Sequence, residues 1–281
     1  IGSPRASSIL SSLGVRYIYN IPSEHSHIEK ELCAAEEIYD LSYSRQMQQE
    51  HTGISHEALY NLGQSVRLLE RLIKTRVRRI LLMSSGGSIY GKTHNSPVAE
   101  NFQTDPISSY GITKLALEKF ALTYHRQFDL PVIIVRPSNA YGYGQQPHMG
   151  QGFIATAIAD ILNDSPITIF GNPGTNRDYI HVSDVASGIM AAMTSGKAGE
   201  IYNIGTGIGR NNIQVIESLK PLASNRGKEI QIKLAPGRPT DPPYNILDAT
   251  KLTECSAWRP MISFKDGLVD AWDYVEHHRL K

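Results

Sequence analysis

Hydrophobic residues fall along this chain in two patterns, at helical spacing and in short unbroken runs. From His56 to Lys74, Leu59, Leu62, Val66, Leu69 and Leu72 fall three or four apart, the spacing that lines one face of a helix. Shortly afterwards, Arg79 to Met83 is an apolar run closed by Ser84-Ser85-Gly86-Gly87, which predicts a buried strand and a tight turn. Ile107 to Phe128 predicts a second long helix, and Val132 to Val135 a second buried strand, ended by Arg136-Pro137. Val15 to Tyr19 and Glu37 to Leu41 predict further strands, with a helix from Ser26 to Leu32 between them. Alternation of this kind predicts a parallel sheet with helices on its faces. In such sheets ligands bind beyond the carboxyl ends of the strands.

The pattern changes near residue 144. Tyr141 to Gly152 reads as a polar, glycine-rich linker and Phe153 to Leu162 as a helix leading away from it. Asp178 to Val182 and Glu200 to Ile204 predict strands, with a helix from Ser183 to Thr194 between them. Beyond these, glycine-rich (Gly205 to Gly209) and proline-rich (Pro236 to Pro243) stretches lead to a final helix from Phe264 to His277.

With 281 residues, 41% of them hydrophobic, the chain can bury a large core. Its formal net charge of +1 provides no global field for nucleic acid or an anionic membrane, so any anion must be held by a local site. Cys33 and Cys255 have no second Cys or His at metal-ligand spacing, which argues against a disulfide framework or a metal centre. No apolar run approaches the roughly 20 residues of a membrane helix, and the first residues do not read as a secretory signal. A cytoplasmic location is expected. None of the ten histidines belongs to a Cys/His set at metal-ligand spacing.

Tyr110 is the only one of fourteen tyrosines with a lysine, Lys114, four residues later. On a helix the two share a face, and an ammonium beside a phenol favours the phenolate. A tyrosine has a pKa of about 10, so acting as a base near pH 7 requires a shift of about 3 units, or roughly 4 kcal/mol of preferential stabilisation of the anion.

Three blocks stand in order: Ser84-Ser85-Gly86-Gly87-Ser88-Ile89-Tyr90-Gly91, then Tyr110-Gly-Ile-Thr-Lys114, then Arg136-Pro-Ser-Asn139-Ala-Tyr-Gly142. Together with Tyr60-Asn61-Leu-Gly63, Arg177-Asp-Tyr-Ile-His-Val182, Tyr202-Asn-Ile-Gly205 and Gly237-Arg238-Pro-Thr-Asp241, the chain resembles the extended short-chain dehydrogenase/reductase family and, within it, the nucleotide-sugar epimerases and dehydratases. The resemblance implies a Rossmann-like doubly wound parallel sheet with a smaller C-terminal substrate-binding α/β domain. Residues 1–144 would bind the dinucleotide, with 178–205 returning to that domain, and 145–281 would mainly bind the substrate. It also implies NAD as cofactor, a UDP sugar as substrate and a homodimer formed through the two long helices.

The resemblance further assigns roles. Tyr110 would be the catalytic base, with Lys114 as its partner and a contact to the nicotinamide ribose. Family members carry a catalytic hydroxyl four residues before the tyrosine matching Tyr90, where this chain has Gly86; Ser88 is the favoured replacement and Ser85 its competitor, otherwise a substrate contact. Gly2, Leu41, Asn61 and Ser84 would contact the cofactor. Asn139 would hold the nucleotide sugar, and Arg177 and Arg238 would clamp its diphosphate, for which planar guanidinium groups suit bidentate oxygens. Asn245, seven residues after Arg238, would line the pocket beside the sugar C2 substituent, with room for an N-acetyl group; a one-residue shift would put Tyr244 there instead and close that room. His181 would pack, and the Tyr141-Gly-Tyr143-Gly segment would form a mobile substrate loop rather than stack on a base.

Two departures stand out. No Gly-x-Gly-x-x-Gly motif is present to hold a pyrophosphate; Ile1-Gly2-Ser3 resembles only the tail of such a motif. Too few residues separate Gly2 from Val15 for a crossover helix and second strand, so segments belonging there are expected to be absent from the sequence as it stands. Asp40-Leu41-Ser42-Tyr43 replaces the family's His-Leu-Ala-Ala. Family dehydratases carry an Asp-Glu pair after their catalytic Thr, and decarboxylases a Glu at the position of Ser88; neither acid is present. Proton removal from a sugar C4 hydroxyl, hydride transfer to NAD and return to the opposite face, a 4-epimerisation, is therefore the expected reaction. The alternatives are a dehydratase, decarboxylase or reductase of the same family, or a non-catalytic nucleotide-binding protein.

Overall fold

The computed structural model describes residues 26–43, 53–93, 96–238 and 242–278, without the side chains of 26–29 and 53–57. Gly2 and the strand expected from Val15 to Tyr19 lie outside the described residues. The first part of the chain runs α1 (Ser26–Ala34), β1 (Glu37–Asp40), α2 (Gly53–Leu72), β2 (Arg79–Met83), the one-turn helix α3 (Gly86–Ile89), α4 (Ser109–Phe128), β3 (Val132–Pro137) and β4 (Asn139–Tyr141). It continues with α5 (Phe153–Leu162), β5 (Ile167–Phe170), β6 (Asn176–His181), α6 (Val182–Ser195), β7 (Ile201–Ile204), β8 (Gly209–Arg210) and α7 (Asn212–Ser224). The last elements are β9 (Ile232–Ala235), β10 (Tyr244–Asn245), α8 (Thr250–Ser256) and α9 (Phe264–His278).

The main sheet has the order β1-β2-β3-β7, and its neighbouring strands pair in parallel. The twofold alternation of side chains along each strand explains why it is covered on both faces. Ile80 and Leu82 of β2 and Val132 and Ile134 of β3 pack with Leu68, Leu69 and Leu72 of α2 and Leu117 and Ala121 of α4. The intervening Leu81, Ile133 and Val135 pack instead with Val185, Ile189 and Met193 of α6 and with Trp258. The fold is thus a doubly wound α/β sheet, as the alternating pattern predicted.

After Ser138, β4 leaves the main sheet and pairs with β6, which also pairs with β10 in parallel and β8 antiparallel; β5 and β9 form a separate parallel pair. Beside them a core of Ile154, Ile158, Ile169, Val215, Leu219, Leu268 and Trp272 joins α5, α7 and α9. β7 lies in the main sheet and β6 in the smaller one.

Several sequence expectations are corrected. β3 does not end at Val135. Arg136 and Pro137 continue it in register with Asn203 and Ile204, because Arg136 is held inside by Glu118 and Tyr90. Tyr141 belongs to a strand and is buried rather than lying in a loop, while Tyr143 is exposed, with its ring edge-on to Tyr274 of α9. The stretch from Gly205 to Pro243 is not without elements: α7 carries a capping box between Asn211 and Gln214, the reciprocal bonding that closes a helix N-terminus. Pro221 inside that helix obscures its periodicity.

Candidate active site

The expected chemistry gathers where β2 and β3 end and α3 and α4 begin. The Ser84 backbone N–H donates to Val135 O at 2.8 Å, which ties the two strand ends together. Ser85 is still extended (φ −152°), and the chain then turns into α3. Gly86 is dictated by space: a Cβ there would overlap Leu247 Cδ1 and stand 3.0 Å from Arg136 O. A side chain at that position would require Leu247 to shift. Ser88 and Ser85 are the hydroxyls of this turn, and Ser88 Oγ donates to Ser85 Oγ at 2.8 Å. The two candidates thus form one pair.

α4 enters immediately above this turn. The Ser108 side chain accepts from the Gly111 N–H, an N-cap that satisfies one of the first-turn donors. Gly111 allows the close approach: a Cβ there would be 2.5 Å from Ser88 O and 2.9 Å from Pro106 Cβ. Tyr110 immediately precedes this close approach, and Lys114 follows one turn later, buried, with Nζ donating to Met83 O at 2.8 Å. Burial lowers the Lys114 pKa to about 8, opposed by the carboxylates of Asp40 and Glu118, which favour the ammonium. At pH 7 it remains about nine-tenths protonated.

Asp40 ends β1 and is buried, accepting from the Ser42 N–H and hydroxyl through one oxygen and from Ser65 through the other. Asn61 lies one turn before Ser65 on α2 and is also buried. The Tyr43 ring meets Tyr110 edge-on with centroids 4.8 Å apart, and the Lys114 ammonium stands 4.8 Å from the Tyr43 centroid. Leu41 is exposed at the end of the strand.

Ser84 Oγ, Asn139 Oδ1 and Asn245 Oδ1 are buried with no hydrogen-bond partner among the described residues. All three border the turn. Asn245 is fully buried and donates from Nδ2 to Gly86 O at 2.8 Å, and Asn139 Oδ1 would lie 3.4 Å from a Cβ built on Gly87. Orphaned buried acceptors are rare in folded proteins; here they face the same turn as the Ser85–Ser88 pair. A polyhydroxylated ligand carrying hydroxyl donors fits such a set.

The expected diphosphate arginines are not alike. Arg177 is paired in register with Asn245 and donates to Pro242 O at 2.6 Å, so it borders the strand that reaches Gly86. Arg238 is exposed, with its guanidinium stacked 3.6 Å above the Phe170 ring. These two cations have different neighbours.

Sequence reasoning missed the buried group behind the turn. Arg136 makes a two-pronged contact with Glu118, at 2.8 and 2.6 Å, and donates to the Tyr90 hydroxyl, which donates to Asn203. A signal was present: Glu118 lies four residues after Lys114 and so shares its helix face. His181 packs as expected, its Nε2 2.9 Å from Asp270 and its ring against Tyr141.

Residues 22–205 match the model of the NAD dependent epimerase/dehydratase family. The chain belongs to that family. Among solved structures, UDP-glucose 4-epimerase of Thermotoga maritima, determined with UDP-glucose, superposes with a TM-score of 0.83 at 28% identity, over 99% of this chain and 96% of that one. UDP-glucuronic acid 4-epimerase of Bacillus cereus, in complex with UDP-glucuronic acid and NAD, gives a TM-score of 0.83 at 25% identity, over 97% and 86% of the two chains. A dTDP-glucose 4,6-dehydratase of Actinoplanes sp. is 29% identical over 75% of this chain and 65% of its own length. The family identified here therefore embraces more than one reaction on nucleotide sugars, and its NAD dependence agrees with the Rossmann-like sheet. Among the described residues no helix is long and apolar enough to cross a membrane.

Proposed function

We propose that this chain epimerises a UDP sugar at C4 with NAD as cofactor. The observation that carries the reading is the meeting of Tyr110, Lys114 and the Ser85–Ser88 pair at one strand end, in a turn whose residues 84–90 include no acid. A dehydratase needs such an acid to eliminate water; an epimerase needs only to remove a proton and return it.

Tyr110, as phenolate, takes the proton of the sugar hydroxyl, and the buried Lys114 ammonium favours that phenolate. The serine hydroxyls orient the same sugar oxygen. NAD, when bound, supplies the hydride acceptor and donor for the paired oxidation and reduction. Gly2, Leu41, Asn61, Ser84 and Lys114 are proposed to hold it; the buried Ser84 Oγ without a partner and the buried Asn61 agree with a polar ligand there. Asn139, Asn245, Arg177 and Arg238 are assigned to the UDP sugar, which requires Arg238 to leave Phe170. We assign residues 1–144 and 178–205 to the cofactor and 145–281 mainly to the substrate, with β4 and β6 joining the first set to the smaller sheet. Leu59 on α2 and Ile112, Phe120 and Phe128 on α4 are exposed apolar residues, and a homodimer through these helices would cover them.

The test is incubation of purified protein with UDP-glucose, with and without NAD, and identification of the product by NMR. UDP-galactose is expected, with Tyr110→Phe lowering turnover by about 10² to 10⁴. A dehydrated or decarboxylated product overturns the choice of reaction, and a Tyr110→Phe variant above about a tenth of wild-type turnover overturns the base assignment.

A further inference from the structure

Tyr43 stands immediately beyond the anchored end of β1. The backbone and hydroxyl of Ser42 are both bonded to Asp40, so the chain is fixed up to the residue before Tyr43. From there its ring reaches both members of the proposed catalytic pair, Tyr110 edge-on with centroids 4.8 Å apart and the Lys114 ammonium at 4.8 Å. Edge-to-face aromatic and cation–π contacts are each favourable, and together they hold the ring over the pair.

Oxidation of a carbinol removes a proton from its oxygen and a hydride from the carbon bearing that oxygen. If Tyr110 takes the proton, the hydride acceptor must lie within a few ångströms of the same place, because reacting atoms must nearly touch. The Tyr43 ring stands in that neighbourhood and shares the cation that a ribose hydroxyl would otherwise meet. We infer that Tyr43 sets cofactor affinity by competition: the ring that meets Tyr110 and the Lys114 ammonium must rotate aside for NAD to bind. This rests on the NAD reading given above. Because Ser42 is anchored, the movement falls on the Tyr43 side chain.

Two measurements on the full chain test it. Calorimetric titration with NAD should show Tyr43→Ala binding about 10-fold more tightly than wild type, the scale of one aromatic pair plus one cation–π contact, while Tyr43→Phe, which keeps the ring, stays within about twofold. In the cofactor-free protein, acetylation of Lys114 by an N-hydroxysuccinimide ester, followed by peptide mass spectrometry, should be several-fold faster in Tyr43→Ala. Equal or weaker NAD binding by a Tyr43→Ala protein that melts like wild type overturns the inference and leaves the NAD reading standing. Unchanged Lys114 acetylation also overturns it. Absence of NAD binding by wild type and both variants overturns the NAD reading and the inference together.

Discussion

Gly111→Ala separates the position of Tyr110 from the stability of the fold. The added Cβ would stand 2.5 Å from Ser88 O and 2.9 Å from Pro106 Cβ, whereas ordinary contact begins at 3.4 Å. The nearer neighbour is a backbone oxygen of α3, which cannot rotate away, so the start of α4 and the turn must separate by about 0.9 Å, the shortfall against that contact. Overpacking of this kind costs about 1 to 3 kcal/mol, and alanine in place of glycine in a helix returns about 1 kcal/mol. The net loss should be about 0 to 2 kcal/mol, readable as a small fall in Tm or in the urea midpoint. Turnover should fall much further. Tyr110 immediately precedes Gly111, and displacement of a reacting group by about 1 Å costs on the order of 10²-fold. The assay is kcat with UDP-glucose and NAD beside a urea titration. A variant that melts like wild type and retains more than about a third of its turnover would refute the argument that this helix approach positions the tyrosine.

Other consequences follow from the buried charges and the pocket. The Lys114 pKa of about 8 lies below its ordinary 10.5, so between these values the unfolded chain binds the extra proton and stability must rise with pH, while below pH 8 the burial penalty is constant. Wild type should gain roughly 2 kcal/mol relative to Lys114→Met between pH 7.5 and pH 10 in urea titrations, and parallel pH profiles would contradict the assignment. Glu118→Ala leaves the Arg136 guanidinium, which is 2% exposed, without its carboxylate, and should cost about 3 to 5 kcal/mol; a loss under about 1 kcal/mol in the same measurement would show that the pair is not needed. Asn245→Leu keeps the branching of the side chain but removes the bond to Gly86 and the unpartnered Oδ1. It should lower the ratio of kcat/KM for UDP-GlcNAc over UDP-glucose by about 10-fold, since a buried polar group left unpaired carries discrimination; an unchanged ratio removes Asn245 from the sugar pocket.

Much of this protein was determined by local sequence. The period of three to four in α2 and the unbroken apolar runs of β2 and β3 need no partner to be recognised, because they follow from local sequence alone. Arg79–Met83 and Phe153–Leu162 accordingly have the predicted bounds. The Tyr110 and Lys114 pair was equally legible, because helical spacing alone puts them on one face. What the tertiary structure decided depends on contacts between distant residues. The Cβ space at Gly86 is filled by Leu247, 161 positions away. Arg136 and Pro137 stay in β3 because Glu118 and Tyr90 satisfy the buried guanidinium. Arg238 rests on Phe170. Two-residue strands such as β8 and β10 have too few positions to show any period, and they exist because β6 offers them its backbone. Tyr43 and Asp40 were visible only as departures from a pattern; that one meets Tyr110 and the other steadies the Lys114 charge follows from the parallel pairing of β1 with β2, which brings the ends of both strands to α4.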